Sequence, residues 1–412
     1  MPDPKHILIL TADAGFGHRS AANAIAAALQ ELHGHDCTFT ILNPLDDERT
    51  PALLRNSQSD YDRIARELPD LYKFGYELSD DSITSRLMSN ALRTLLYPVL
   101  REILDDQQPD AIVSTYPLYQ AALGAVFALS KTFVPLIAVV TDLVTVHQIW
   151  FSDEADLTVV PTPMVRELAI GAGLPPEKIN IIGIPVHPRI VQESRRRSAL
   201  RADLGWEPDR ITLLAVGSKR VEHLGAILHV LNHSGLPLQL AIVAGGDEEQ
   251  YNELMRTDWH LPVHLYNFVK NMPTLMRASD AIICKAGGLI VTESLAAGLP
   301  LLLTDVIPGQ ETGNANYVVN GGAGELIEEP LQALETLCHW LLDNGKLLEE
   351  RAANAVKLGR PRAAYDIADL AWRAAQRGSV KKESSQIVGL PNLIELFRRL
   401  NVKWQGDEED SL

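Results

Sequence analysis

A glycine-opened helix with a carboxylate inside its first turns can hold a nucleoside diphosphate, and the segment CKAGGLIVTESLAAGLPLLLTDVIPGQETGNANYVV has that form. A candidate strand ends at Lys285, Gly287 and Gly288 open a turn, and the helix that follows carries Thr292 and Glu293. Free N–H groups at such a helix start suit a diphosphate, and the Glu293 carboxylate can take the two hydroxyls of a ribose. Gly298 and Pro300 end the helix, after which Gln310 and Glu311 set an amide beside a carboxylate, a pair suited to a sugar's vicinal hydroxyls. Exposed loop polars would explain that pair alone but not the whole spacing.

Two further turns offer chemistry. In TADAGFGHRSAANAIAAAL, Gly15 and Gly17 let the backbone approach a ligand at the head of an alanine-rich helix, and His18 sits there as a base or simply as a cap. The third glycine of the dinucleotide fingerprint is missing, and Asn43 stands where an acid would end the second strand, which disfavours a nicotinamide enzyme. In VVTDLVTVHQIWF a candidate strand delivers Asp142, His147, Trp150 and Phe151 to one loop, as a base with its orienting partner or as an ordinary polar loop.

Parallel strands joined by crossover helices would position these turns, and the chain alternates accordingly. Candidate strands are Ile7–Thr11, Cys37–Leu42, Ala111–Ser114, Leu136–Thr141, Leu157–Val160 and Asn180–Ile182, then Ile211–Val216, Gln239–Ala244, His264–Tyr266, Ala281–Cys284 and Leu301–Thr304. The pattern predicts an α/β chain of two doubly wound, Rossmann-like domains facing a cleft, with ligands beyond the carboxyl ends of the strands. The first spans 1–188 and carries a helical insertion at 44–108; the prolines and arginines of 189–208 read as a linker; the second spans 209–362. Within the insertion, Arg86, Arg93 and Arg101 share one helical face opposite Leu87, Met88, Leu92, Leu95 and Val99. That face suits a membrane surface or the solvated side of a core helix, and Pro98 would kink or end the helix. LIELFRRLNVKW is a second amphipathic piece, and the acidic end GDEEDSL reads as disordered.

Composition narrows the partners. The 412 residues hold 37 Lys plus Arg against 53 Asp plus Glu, a net charge of −16 that argues against nucleic acid. An apolar share of 46% supports real cores and excludes disordered or fibrous classes. Cys37, Cys284 and Cys338 are too few and too scattered for a disulfide framework or metal clip, and read as reduced cytoplasmic thiols. The start lacks the apolar core of a signal peptide, and the most apolar window, Val134–Val146, is interrupted by Pro135, Thr141 and Asp142, so membrane contact is expected to be peripheral.

At these residues the chain resembles glycosyltransferase family 28, and within it the enzymes that glycosylate diacylglycerol. The resemblance covers roughly residues 5–370 and rests on seven motifs in order. These are Gly-x-Gly-His-Arg at 15–19, PDLYKFGYELSD at 69–80, PDAIVSTYPL at 109–118, and Thr-Asp with His-x-x-Trp at 141–150, followed by GLPPEKINIIGIPV at 173–186, NFVKNMPTLMRASD at 267–280 and Pro-Gly-Gln-Glu at 308–311.

The resemblance implies the GT-B fold: an acceptor-binding first domain, a UDP-sugar-binding second domain, and a C-terminal helix within 363–412 that crosses back to the first. It implies that Phe268 and Val269 hold the uracil and that Gly287 and Gly288 form the diphosphate turn, near Gly217, Ser218, Lys219, Lys285 and Thr292. Glu293 would take the ribose, and Gln310 with Glu311 the transferred hexose. The Gly15–His18 turn would face the acceptor hydroxyl, with His18 or Asp142 as general base and His147 and Trp150 on the acceptor side. The implied reaction is a single inverting displacement that moves galactose or glucose from a UDP-sugar to the primary hydroxyl of 1,2-diacylglycerol, without a cofactor. No metal is required where helix dipoles meet the leaving charge, and the formal Asp-x-Asp at Asp60–Asp62 falls in the insertion rather than after a strand.

Tyr72–Tyr76 and Thr84–Arg101 correspond to the family's lipid-facing region. This implies a peripheral enzyme on the cytoplasmic face of a membrane, with an anionic lipid as a candidate partner. Three departures stand out. AVGSKRVEHLG keeps only Gly217 of a glycine-rich loop, with Ser218, Lys219 and Arg220 following; Tyr116 stands where the galactolipid enzymes tend to have histidine; Gln148 and Ile149 replace the usual Pro and Thr. Two other readings therefore remain: a family 28 transferase for another lipid, such as a cell-wall intermediate, and a non-catalytic nucleotide-sugar sensor.

Overall fold

Segments such as HILIL, AIVS and LIAV are short and apolar throughout, which suits strands covered on both faces. The computed structural model describes residues 4–14, 16–52, 54–55, 82–130, 132–218, 221–307, 309 and 311–381. In the first half lie β1 (Lys5–Leu10), β2 (Cys37–Leu42), β3 (Ala111–Ser114), β4 (Thr132–Phe133), β5 (Leu136–Val139), β6 (Leu157–Val160) and β7 (Ile179–Ile181). All but β4 pair in parallel, in the order β2-β1-β3-β5-β6-β7. In the second half β8 (Ile211–Val216), β9 (Leu238–Val243), β10 (Val263–Tyr266), β11 (Ala281–Lys285), β12 (Leu301–Thr304) and β13 (Gly324–Leu326) form a parallel sheet in the order β10-β9-β8-β11-β12-β13. The expected pair of doubly wound domains is therefore present. β13 was not among the expected strands, because its sequence GEL is too short and too polar to stand out.

Each sheet reverses its winding once, between β1 and β3 in the first and between β8 and β11 in the second. Such a reversal opens a crevice at the carboxyl ends of the two central strands, the place where doubly wound sheets bind ligands. The helix Phe16–His33 leaves β1 at one crevice and the helix Gly288–Ala297 leaves β11 at the other.

Alanine spacing sets the packing of the first domain. Ala22, Ile25, Ala28 and Leu29 of the Phe16–His33 helix are buried against Ala364, Ile367, Ala368 and Ala371 of the helix Ala363–Arg377, small side chains that let the two backbones approach closely. Tyr365 Oη donates to Glu31 Oε2 at 2.9 Å across this contact. The C-terminal helix thus packs into the core of the first domain.

The insertion contributes the helix Ser82–Gln107, which does not end at Pro98. Leu92, Leu96, Val99, Leu100, Ile103 and Leu104 are buried in the first domain, and that burial outweighs a proline penalty of about 3 kcal/mol. Arg93 donates to Glu154 Oε1 at 2.7 Å and Arg101 lies 3.7 Å from Asp105, so both are paired with acids; the side chain of Arg86 lies outside the described residues. So do Asp60–Asp62, Tyr72–Tyr76 and the stretch 382–412 with its amphipathic piece. Residues 189–208 hold two short helices, Arg189–Gln192 and Arg197–Asp203, and Arg201 is buried there on Asp280 Oδ2 and the carbonyl of Ala278. Among the described residues, no helix is long and apolar enough to cross a membrane.

Candidate active site

Three strand ends of the first domain converge on His18. The Phe16–His33 helix follows β1, Thr115 follows β3, and Thr141 lies just beyond β5. His18 Nδ1 lies 2.9 Å from the carbonyl oxygen of Thr115 and 2.8 Å from Thr141 Oγ1. A carbonyl can only accept, so Nδ1 carries the proton and shares it with both oxygens, which leaves the lone pair on Nε2. No group among the described residues hydrogen-bonds Nε2. Tyr116 meets the ring edge-on at 4.9 Å and Trp150 lies at 6.2 Å. Burial lowers the imidazole to about 4, against a smaller opposing effect of the Thr115 carbonyl, so the ring is neutral at physiological pH.

Asp142 stands beside this group. Its Oδ2 accepts the Trp150 indole N–H at 2.7 Å, and burial raises the carboxyl to about 6, partly offset by that hydrogen bond. His147 Nδ1 accepts from Ile149 N at 3.1 Å and caps the one-turn helix Gln148–Trp150. Asp142 thus orients Trp150, and His147 shapes the same loop.

In the second domain, Lys285 at the end of β11 pairs with Glu311, which is 3% exposed and also accepts from Ile307 N at 3.3 Å. A Cβ at Gly287 would lie 2.7 Å from Lys285 Nζ, so a side chain there would displace the lysine ammonium. The Gly288–Ala297 helix begins here, with first-turn N–H groups that have no partner within the helix. One turn further in, Glu293 has no hydrogen-bond partner among the described residues, and burial raises its carboxyl to about 7. Phe268, just past β10, is 66% exposed, while Val269 packs on the core.

Two other predicted residues make bonds within the fold. Thr292 turns inward and its hydroxyl donates to Gly288 O at 2.7 Å. Gly217 is buried, its N–H donates to Val243 O at 2.7 Å, and a Cβ there would strike Gln250 Oε1 at 2.2 Å. Ser218 follows it at the end of β8; Gly17 lies in the first turn of the His18 helix with open space around it. Gly15, Lys219 and Gln310 lie outside the described residues. Among those described, no three His, Cys, Asp or Glu side chains are grouped to hold a metal.

The two corners meet through the loop after β5. A Cβ on Gly288 would lie 3.6 Å from the Thr141 carbonyl oxygen and 3.9 Å from Leu143 N, and one on Gly313 would lie 2.5 Å from Thr145 Oγ1. Thr141 therefore touches both His18 and the head of the Gly288 helix. Neither it nor Thr115 had been given a role from the sequence, although Thr141 belongs to the Thr-Asp motif.

The family model for monogalactosyldiacylglycerol (MGDG) synthase matches residues 18–186, and that for the glycosyltransferase family 28 C-terminal domain matches residues 213–368. The chloroplastic monogalactosyldiacylglycerol synthase of Spinacia oleracea is 32% identical over 379 residues, 88% of this chain and 71% of that protein. Monogalactosyldiacylglycerol synthase 1 of Arabidopsis thaliana, also chloroplastic, is 31% identical over 377 residues, 88% of this chain and 70% of its own. Among solved structures, MurG of Acinetobacter baumannii aligns with a TM-score of 0.57 at 19% identity, over 90% of this chain and all of that one. The calicheamicin glycosyltransferase CalG4 aligns with a TM-score of 0.55 at 15% identity, over 90% and 98%. These likenesses show the fold, which is GT-B. The chain belongs to the monogalactosyldiacylglycerol synthase group of glycosyltransferase family 28 and is a UDP-sugar-dependent glycosyltransferase.

Proposed function

We propose that this enzyme moves galactose or glucose from its UDP-sugar to the primary hydroxyl of 1,2-diacylglycerol, with inversion to a β-glycosyl lipid. The observation that carries the reading is the His18 tautomer. With its proton held at Nδ1 by Thr115 and Thr141, His18 offers Nε2 to an incoming hydroxyl on the side of the first domain that meets the second. The hydroxyl oxygen attacks the anomeric carbon as Nε2 takes its proton, the bond to the diphosphate breaks, and UDP leaves. In this reading the first-turn N–H groups of the Gly288 helix meet the departing charge, Glu293 takes the ribose hydroxyls, Phe268 and Val269 flank the uracil, and Glu311, fixed by Lys285, takes the hexose.

The proposal assigns the leaving charge to protein groups, with no metal or cofactor, so activity is expected to survive chelation by EDTA. It places the enzyme peripherally on the cytoplasmic face of a membrane, where its acceptor dissolves and where the side of Thr84–Arg101 turned away from the core would face lipid. The names of the relatives support diacylglycerol as acceptor. Incubation with UDP-galactose or UDP-glucose and diacylglycerol vesicles, followed by mass and anomeric analysis of the lipids, tests the reading. A β-hexosyl diacylglycerol supports it; an α product, or transfer only to a different lipid, overturns it.

A further inference from the structure

We infer that Thr141 is a positioning residue that couples the seating of the second domain to the readiness of His18. The inference rests on the reading of His18 as base. Up to Val140 the chain is fixed in the first sheet, since Val140 N donates to Val159 O at 3.0 Å beside β6. From Leu143 it is fixed in the other domain, where Leu143 and Val144, 5% and 8% exposed, are buried in a core with Val291, Leu295 and Val318. Only Thr141 and Asp142 lie between these anchors. Both carry the site: Thr141 Oγ1 holds His18 Nδ1, and Asp142 holds the indole of Trp150, which lies against the same imidazole.

A residue spans at most about 3.6 Å, so two residues between fixed ends have little slack, and any shift of the second domain is absorbed in their torsions. Displacing Thr141 by a fraction of an ångström lengthens its bond to Nδ1 and leaves the ring held by the Thr115 carbonyl alone, less tightly aimed. His18 is then set as a base when the second domain is seated and loosened when it is not. The glycine at 313 gives the loop its room, since a Cβ there would lie 2.5 Å from Thr145 Oγ1.

The test compares Thr141→Val, Thr141→Ser, Leu143→Ala, the Thr141→Val/Leu143→Ala double variant and His18→Ala, measuring kcat and the Kd for UDP in each. Gly313→Ala, which crowds the loop from the donor side, serves should Leu143→Ala fail to fold. Thr141→Val and Leu143→Ala should each lower kcat about tenfold with UDP affinity unchanged, Thr141→Ser should recover most of the loss, and the double variant should fall no further than the worse single one. Full turnover in Thr141→Val, or losses that multiply to about a hundredfold in the double variant, would overturn the coupling while His18→Ala stays inactive. Full turnover in His18→Ala would overturn the reading of the base, and the coupling with it.

Discussion

The two corners of the cleft are prepared in opposite ways. Around His18 the polar groups already satisfy one another: Thr115 and Thr141 share the Nδ1 proton, and Asp142 holds Trp150. Around the Gly288 helix, Lys285 and Glu311 are paired, but among the described residues Glu293 has no hydrogen-bond partner and the helix-start N–H groups have none within the helix. A base must be aimed before reaction, because reorganisation during the chemical step would raise the barrier. A binding subsite must offer unmet hydrogen-bonding capacity that the ligand then fills. On the proposed reading, one corner is built to react and the other to bind.

His18→Ala should break this contrast most severely, with turnover falling about a thousandfold and UDP affinity unchanged, as steady-state kinetics and calorimetry would record. Lys285→Met strikes the other corner by leaving the Glu311 carboxylate buried without its cation; denaturant titration should show a loss of about 3 kcal/mol in stability, together with weaker UDP-sugar binding. Glu293→Gln should weaken UDP about tenfold yet stabilise the unliganded protein. The sign follows from burial: the folded carboxyl titrates at about 7, above its ordinary value, so stability is lost as pH rises through about 7, and glutamine removes that loss. At pH about 8 the gain should be on the order of 1–3 kcal/mol.

The smallest expected effect sharpens the role of Asp142. As pH falls through about 6 its carboxyl takes a proton and grips the Trp150 indole less firmly, so kcat/KM should decline several-fold. Asp142→Asn should be slower by a similar factor at high pH and flat across that range. A sharp loss in the Asn variant equal to that of His18→Ala would make Asp142 the base instead.

The corner at the Gly288 helix was legible in the sequence as a structure because it is local. Lys285, the glycine pair and Glu293 fall within one strand–turn–helix, and the element types follow from apolar runs and glycine turns. The corner at His18 was legible only in part. His18 stood out at its turn, but its partners lie 97 and 123 residues away, and only the parallel order of β1, β3 and β5 brings them to one nitrogen. The prolines and arginines of 189–208 read as a linker, and the partner that buries Arg201 within it, Asp280, is distant in sequence and gave no local signal. His147, close to Asp142 in sequence, invited a pairing that Trp150 makes instead.

The claim that matters most is that the imidazole of His18 is preset with its proton on Nδ1 and its lone pair on Nε2. Nitrogen NMR of isotope-labelled histidine, assigned through the His18→Ala spectrum, reads this directly. From pH about 5 to about 8 the account predicts a neutral ring with a protonated Nδ1 and a bare Nε2. A proton on Nε2, or a ring that charges near its ordinary value, would contradict it.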